Sequence, residues 1–147
     1  MKKLLIIAMA LALLLPVALA AKTYNIEGYW YNAEKTSKIK IFKTTAGSYA
    51  GKIVWLKEPN DAKGNPKVDL ENPDPELRSR PLLDMVIIRG LAEKGKNKYA
   101  NGTIYDPKSG NTYSSKAELT SPNVLKLRGY IGISLMGRTE TWTRTTE

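Results

Sequence analysis

The 147-residue chain contains no cysteine and no histidine. Without cysteine there can be no disulfide, no thiolate nucleophile, and no lipid attached to a thiol after the leading apolar run. Without histidine the Ser-His-Asp and Cys-His arrangements, His-based zinc sites and His-ligated haem are all excluded. Any chemistry must come from Asp, Glu, Tyr, Lys, Arg, Ser or Thr. No residue pattern calls for a cofactor or a metal. Long runs of one charge are also missing. The net charge of +9 is spread along the chain, which suits solubility and attraction to an anionic envelope component without calling for nucleic acid. Only Lys94 to Lys98 is locally dense, and it reads as a solvated turn.

What is present begins with a leader. Lys2 and Lys3 precede an uncharged apolar stretch, Leu4 to Leu15, and Ala18-Leu19-Ala20 supplies a small-x-small cleavage site. Residues 1–20 are expected to be a cleaved signal peptide, with Ala21 or Lys22 as the mature start and a periplasmic or secreted destination. The alternative, an uncleaved anchor, needs about 20 apolar residues, and Pro16 interrupts the stretch near its end. Contact with the membrane is then expected only through the cleaved signal. Removing twenty residues from 147 leaves 127, one ordinary domain over 21–147.

The mature part shows little helical periodicity and many short strand patterns. Strands are expected over 26–32, 38–41, 49–57, 85–90, 98–105, 111–119, 124–131 and 137–145. Turn chemistry separates most of them, for example Asp106-Pro107-Lys108-Ser109-Gly110 and Ser121-Pro122-Asn123. From Glu58 to Pro81 five prolines and little apolar content exclude a strand. This is one long Pro-rich loop, with a helical turn expected near Pro75 to Ser79. Eight short, closely connected strands favour an all-β, eight-stranded antiparallel up-and-down barrel, with a sandwich as the alternative.

Alternation assigns faces. Lys38 and Lys40 point out, so Ile39 and Ile41 point in. Lys52 sends Gly51, Ile53 and Trp55 inward. Lys126 and Arg128 leave Leu125, Leu127 and Gly129 inward. Lys116 and Glu118 leave Tyr113, Ala117 and Leu119 inward. The last strand stays open: Arg138, Glu140, Trp142 and Arg144 share one face, and Thr139, Thr141 and Thr143 the other.

Gly28-Tyr29-Trp30 resembles the Gly-x-Trp of the calycin superfamily, which includes lipocalins, avidins and fatty-acid-binding proteins. Arg144 resembles the late Arg that packs across that Trp. By this resemblance Gly28, Trp30 and Arg144 close one end of the barrel and do not touch ligand. A second resemblance spans nearly the whole mature chain: Gly28-x-Trp30, Tyr49-x-Gly51-Lys52-Ile53-Val54-Trp55, Asp69-x-x-Asn72-Pro73-Asp74-Pro75, Gly102-x-Ile104-Tyr105-Asp106-Pro107-x-Ser109-Gly110, Leu127-Arg128-Gly129-Tyr130-x-Gly132, and Gly137-Arg138-Thr139-x-Thr141-Trp142-Thr143-Arg144. In that order they resemble an exported bacterial family, domain of unknown function 2147. The resemblance implies a periplasmic or secreted, lipocalin-like barrel and no established activity. A Gly would be expected near Asp84, which puts the local turn in question.

Three constellations are candidates for chemistry. Asp69, Glu71, Asp74, Arg78 and Arg80 in the long loop could bind a cation or, through the arginines, an anion. Asp69-x-Glu71 resembles a calcium loop, but the Gly and terminal Glu of an EF-hand do not follow. The plainer reading is a capped turn with a structural ion pair. Tyr105-Asp106-Pro107 with Ser109 and Gly110 is first a hairpin turn, and it would set Tyr105 at a cavity mouth. Arg128, Tyr130, Arg138, Glu140 and Trp142 lie on adjacent strands, as either an outer Arg–aromatic ladder or an inner polar anchor.

The first expectation for function is a module binding a small hydrophobic or amphipathic ligand, such as an acyl chain, with an Arg for its anionic head. Trp55, Tyr105, Arg128, Tyr130, Arg138, Glu140 and Trp142 would contact it. The alternatives are a His-independent enzyme built on paired carboxylates or Tyr and Arg groups, and a protein that binds envelope components through its surface.

Overall fold

The computed structural model describes residues 20–147, so the expected leader lies outside the described residues except for Ala20. Eight strands follow in chain order: β1 (Gly28–Tyr31), β2 (Ser37–Lys43), β3 (Tyr49–Leu56), β4 (Val86–Glu93), β5 (Lys98–Asp106), β6 (Asn111–Ser121), β7 (Val124–Tyr130) and β8 (Gly137–Thr145). Each pairs antiparallel with the next, and β8 pairs with β1. The sheet is thus a closed up-and-down barrel rather than a sandwich.

The walls follow the two-residue alternation. Ile39 and Ile41 are buried in the barrel with Ile53, Ile88, Leu91, Leu119, Leu125, Leu127 and Trp142. On the outer wall the lysines of β2 lay their chains over aromatic rings. Lys38 Nζ lies 5.4 Å from the Tyr31 centroid, and Lys40 Nζ 5.2 Å from that of Tyr29.

One inward assignment is corrected. Lys38 pairs with Trp55 while Ile39 pairs with Ile53, so Val54 is an extra residue. Such a bulge reverses the facing of everything beyond it. Trp55 therefore stands outside, 38% exposed, edge-on to Tyr31 at 6.0 Å. Leu56 takes the inward place and packs against the core.

One end of the barrel is sealed. Trp30 is fully buried and donates its indole N–H to the Ile26 carbonyl at 2.9 Å. The Arg144 guanidinium lies 4.2 Å from the Trp30 ring centroid. It donates to the carbonyls of Pro122 (2.6 Å), Glu27 (2.8 Å) and Asn25 (2.5 Å). Burial pushes the Arg144 pKa down. Gly28 is required beside it: its φ is +124°, and a Cβ would lie 2.8 Å from Arg144 Nη1.

The Pro-rich stretch forms a structured lobe. Isolated bridges join Asn60 to Pro66 and Val68 to Pro81. The Asp61 carboxylate accepts the backbone N–H groups of Lys63 and Asn65, each at 2.9 Å. The helical turn is a 3-10 turn, Pro75–Leu77, capped by Asp74 accepting from the Glu76 N–H at 3.0 Å. The doubtful turn at Asp84 does form, with Asp84 itself in the left-handed region at φ 65°. Asp tolerates that conformation better than most side chains.

Trp30→Ala is expected to destabilise the barrel by about 3–5 kcal/mol, the usual cost of deleting a buried Trp. Thr141→Ala, on the outer wall, should stay within about 0.5 kcal/mol. Urea unfolding of both variants checks this.

Candidate ligand cavity

Antiparallel alternation sends the β1–β2, β3–β4, β5–β6 and β7–β8 connections to the end opposite the Trp30 seal. A cavity of about 940 Å³ reaches the surface there. Its wall is apolar: Ile39, Ile53, Leu56, Ile87, Ile104, Leu127 and Trp142. Its rim is charged, with Glu34, Lys57, Glu58, Lys67, Lys108 and Arg138. The acids on the rim are partly neutralised, Glu34 by Lys108 at 3.2 Å and Glu58 by Lys67 at 3.6 Å.

Strand β8 decides the polar character of the interior. Leu125, Leu127 and Gly129 of β7 stand opposite Trp142, Glu140 and Arg138, so the three β8 residues share the inner face. The threonines between them face outward. Trp142 is buried and donates its indole N–H to Glu140 Oε2 at 3.2 Å. Arg138 Nη2 lies 3.7 Å from Glu140 Oε1, and the arginine side chain is 79% exposed. A ladder thus climbs from buried indole through a carboxylate to a guanidinium at the mouth. The facing left open by the sequence is inward.

The seven residues expected to touch ligand separate into two groups. Tyr105, Tyr130, Arg138, Glu140 and Trp142 border the cavity. Trp55 does not, because of the Val54 bulge. Arg128 does not either. It lies among the outward residues of β7 and donates to the carbonyls of Ser134 (2.6 Å) and Leu135 (3.3 Å) and to Thr139 Oγ1 (2.9 Å). It staples the β7–β8 connection. Sequence reasoning missed Leu56, hidden by the bulge, the rim lysine Lys57, which the expected strand 49–57 took as its last residue but which follows the end of β3, and Lys108, which sits in a connection where alternation carries no information. Lys108 had one signal, its place in the Asp106-Pro107 turn.

The acidic cluster of the long loop is a clasp. Asp69 is fully buried. One carboxylate oxygen accepts from the Tyr105 hydroxyl at 2.6 Å. The other accepts from Asn72 Nδ2 at 2.8 Å and Arg80 Nη2 at 3.0 Å. Arg78 Nε donates to the Asn72 carbonyl at 2.8 Å. Gly110 (φ +72°) packs so closely on the Glu71 carbonyl that no Cβ would fit. Asp69 and Glu71 therefore pin the lobe to the β5–β6 hairpin. Among the described residues no group of three or more acidic side chains is placed to hold a metal ion.

The clasp shifts both of its titrating partners. Burial pushes the Asp69 pKa up, but the hydrogen bonds from Tyr105, Asn72 and Arg80 outweigh it, and the net shift is downward. Burial, reinforced by Asp69, pushes the Tyr105 hydroxyl up to about 12. Of the other carboxylates, Asp106 also borders the cavity. Its oxygens are occupied by the Lys108 N–H at 3.0 Å and the Ser109 hydroxyl at 2.7 Å.

A family model described as "Uncharacterized protein conserved in bacteria (DUF2147)" matches residues 28–144. Among solved structures, the chain is similar to one described as "Protein HP1028 from the human pathogen Helicobacter pylori belongs to the lipocalin family". The identity is 25% and the TM-score 0.74, with 85% of this chain and 86% of that chain covered. Comparison with curated proteins gives no match.

The clasp has a defined pH signature. Asp69, lowered in the fold, stabilises above the ordinary carboxylate range and loses that contribution as pH falls through its folded value. Tyr105, raised in the fold, stabilises below about pH 10 and loses its contribution as pH rises through about 12. Stability measured against pH should show Asp69→Asn flattening the acid limb relative to the wild type, and Tyr105→Phe flattening the alkaline limb.

Proposed function

The chain belongs to the DUF2147 family, and on that premise we propose that it is an exported binding protein for a small, partly apolar ligand with an anionic head. The carrying observation is the cavity: about 940 Å³, open at one end, apolar along its wall and charged at its rim. That volume lies within the usual range for small-molecule sites, which pair apolar walls with a few placed polar groups. An acyl chain would lie against Ile53, Ile104, Leu127 and Trp142. Its head would reach Arg138, which Glu140 holds only loosely, and the rim lysines Lys57 and Lys108. The leader sequence supports export, and the lipocalin-like barrel supports ligand binding in general.

A carboxylate-pair enzyme has less support. Of Asp69, Asp74, Asp106 and Glu140, only Asp106 and Glu140 border the cavity, and Asp106 is committed to its own turn. Glu140 accepts from the Trp142 indole and faces Arg138, and the rim acids Glu34 and Glu58 are paired with Lys108 and Lys67, so no two carboxylates share one space for acid–base work.

Titration with a naturally fluorescent polyene fatty acid tests the proposal. Wild-type protein should bind one equivalent. Arg138→Glu should weaken binding about tenfold, the equivalent of about 1.4 kcal/mol. Gly129→Leu should abolish it, because a side chain there projects between Ile104 and Tyr113 into the cavity. Equal binding by wild type and Gly129→Leu would place the ligand elsewhere and overturn the proposal.

A further inference from the structure

The β7–β8 connection breaks the ordinary economy of a soluble surface. Ile131, Ile133, Leu135 and Met136 are 70%, 62%, 84% and 69% exposed. Four large apolar side chains on one six-residue connection form a patch rather than scattered surface residues. A Cβ added at Gly132, in the same turn, would meet nothing within 4 Å, so none of the described residues packs on that side.

Part of the backbone of this connection is satisfied from within, its later carbonyls above all. Ile131 N–H donates to the Met136 carbonyl at 3.3 Å, and Met136 N–H to the Ile133 carbonyl at 3.0 Å. Arg128 takes up the Ser134 and Leu135 carbonyls. An unpaired N–H or C=O costs several kcal/mol in hydrocarbon; with the carbonyls of Ile133, Ser134, Leu135 and Met136 already paired, the tip suits the headgroup–acyl boundary, where its remaining polar groups still meet water or headgroups.

The flanks match the same environment. The segment from Ile131 to Gly137 carries no charge, and the nearest charges on either side, Arg128 and Arg138, are both basic. Tyr130 adjoins the tip, and amphipathic aromatic rings favour the headgroup level of a bilayer. Ile131 and Met136 also border the cavity, so the apolar wall of the barrel continues onto the exposed tip.

We infer that residues 131–136 are a membrane-docking finger, which inserts its apolar side chains shallowly into an anionic lipid surface with Arg128 and Arg138 at the headgroups. Docking holds the cavity mouth against the bilayer. It requires no ligand in the cavity, and so stands apart from the binding proposal.

Vesicle co-sedimentation tests it with residues 20–147, which carry all eight strands and the whole described core. Vesicles of phosphatidylcholine alone are compared with vesicles containing phosphatidylglycerol. The wild type should partition onto the anionic vesicles and less onto the neutral ones, with binding reduced by salt. The double variant Ile133→Asp, Leu135→Asp should lose about tenfold or more of that partitioning while its thermal unfolding is unchanged, since both side chains are exposed. Sedimentation velocity on the same samples separates the rival occupant. Wild-type partitioning no different from the variant's would overturn the inference. So would a wild-type dimer that the variant abolishes with neither protein binding vesicles, which would assign the finger to a second copy of the chain.

Discussion

The barrel depends on the seam where β8 meets β1. Tyr29, Trp30 and Tyr31 pair with Thr145, Arg144 and Thr143, and the Arg144 guanidinium lies over the Trp30 indole. Three backbone carbonyls from two separate segments accept from that one side chain, so a single cation ties the entry of β1 and the β6–β7 turn to the last strand. Closure also leaves the sheet without an open edge. Because facing alternates strictly along a strand, fixing Arg144 over Trp30 at one end of β8 fixes Trp142, Glu140 and Arg138 inside at two-residue steps toward the other. The seal and the polar ladder of the cavity are the two ends of one register.

The two ends of the barrel are built for different work. At the sealed end the connections are short, and Trp30, Ile26 and Leu125 fill the interior. At the open end every connection but the Asn32–Ser37 turn does something further. The Pro-rich lobe is clasped down by Asp69 and Gly110, the Asp106 turn supplies Lys108 to the rim, and the β7–β8 connection projects its apolar tip. The clasp concentrates a buried carboxylate, two amide or hydroxyl donors and a guanidinium in one place.

Much of this was legible in the sequence because strand periodicity is a local signal. The alternation Lys38-Ile39-Lys40-Ile41 fixes a wall by itself, and eight such segments with short turns leave few ways to close. Trp55 shows where the signal fails. A single extra residue at Val54 cannot be seen in alternation, yet it moves a tryptophan from the cavity to the outer surface and puts Leu56 in its place. Strand β8 shows a second limit. Its two faces carry charges and threonines, so hydrophobicity could not choose between them, and only the pairing with Leu127 and Gly129 does. The fate of Asp69 was hidden for another reason: its partner Tyr105 lies 36 residues away, and a contact at that separation leaves no local pattern. Arg128 was expected either on an outer Arg–aromatic ladder or at an inner polar anchor; it is outward, but bonded to the carbonyls of the turn that follows, a partner that alternation does not reveal.

On the proposed reading the barrel interior is room for a guest and not a gap waiting for its own side chains. Native mass spectrometry of the barrel, gently extracted from expressing bacteria, tests this most directly. The account predicts a species heavier than the polypeptide by one small organic molecule, which is released on denaturation and identifiable in the organic extract. A spectrum showing only the bare polypeptide, before and after incubation with long-chain fatty acids, would contradict it.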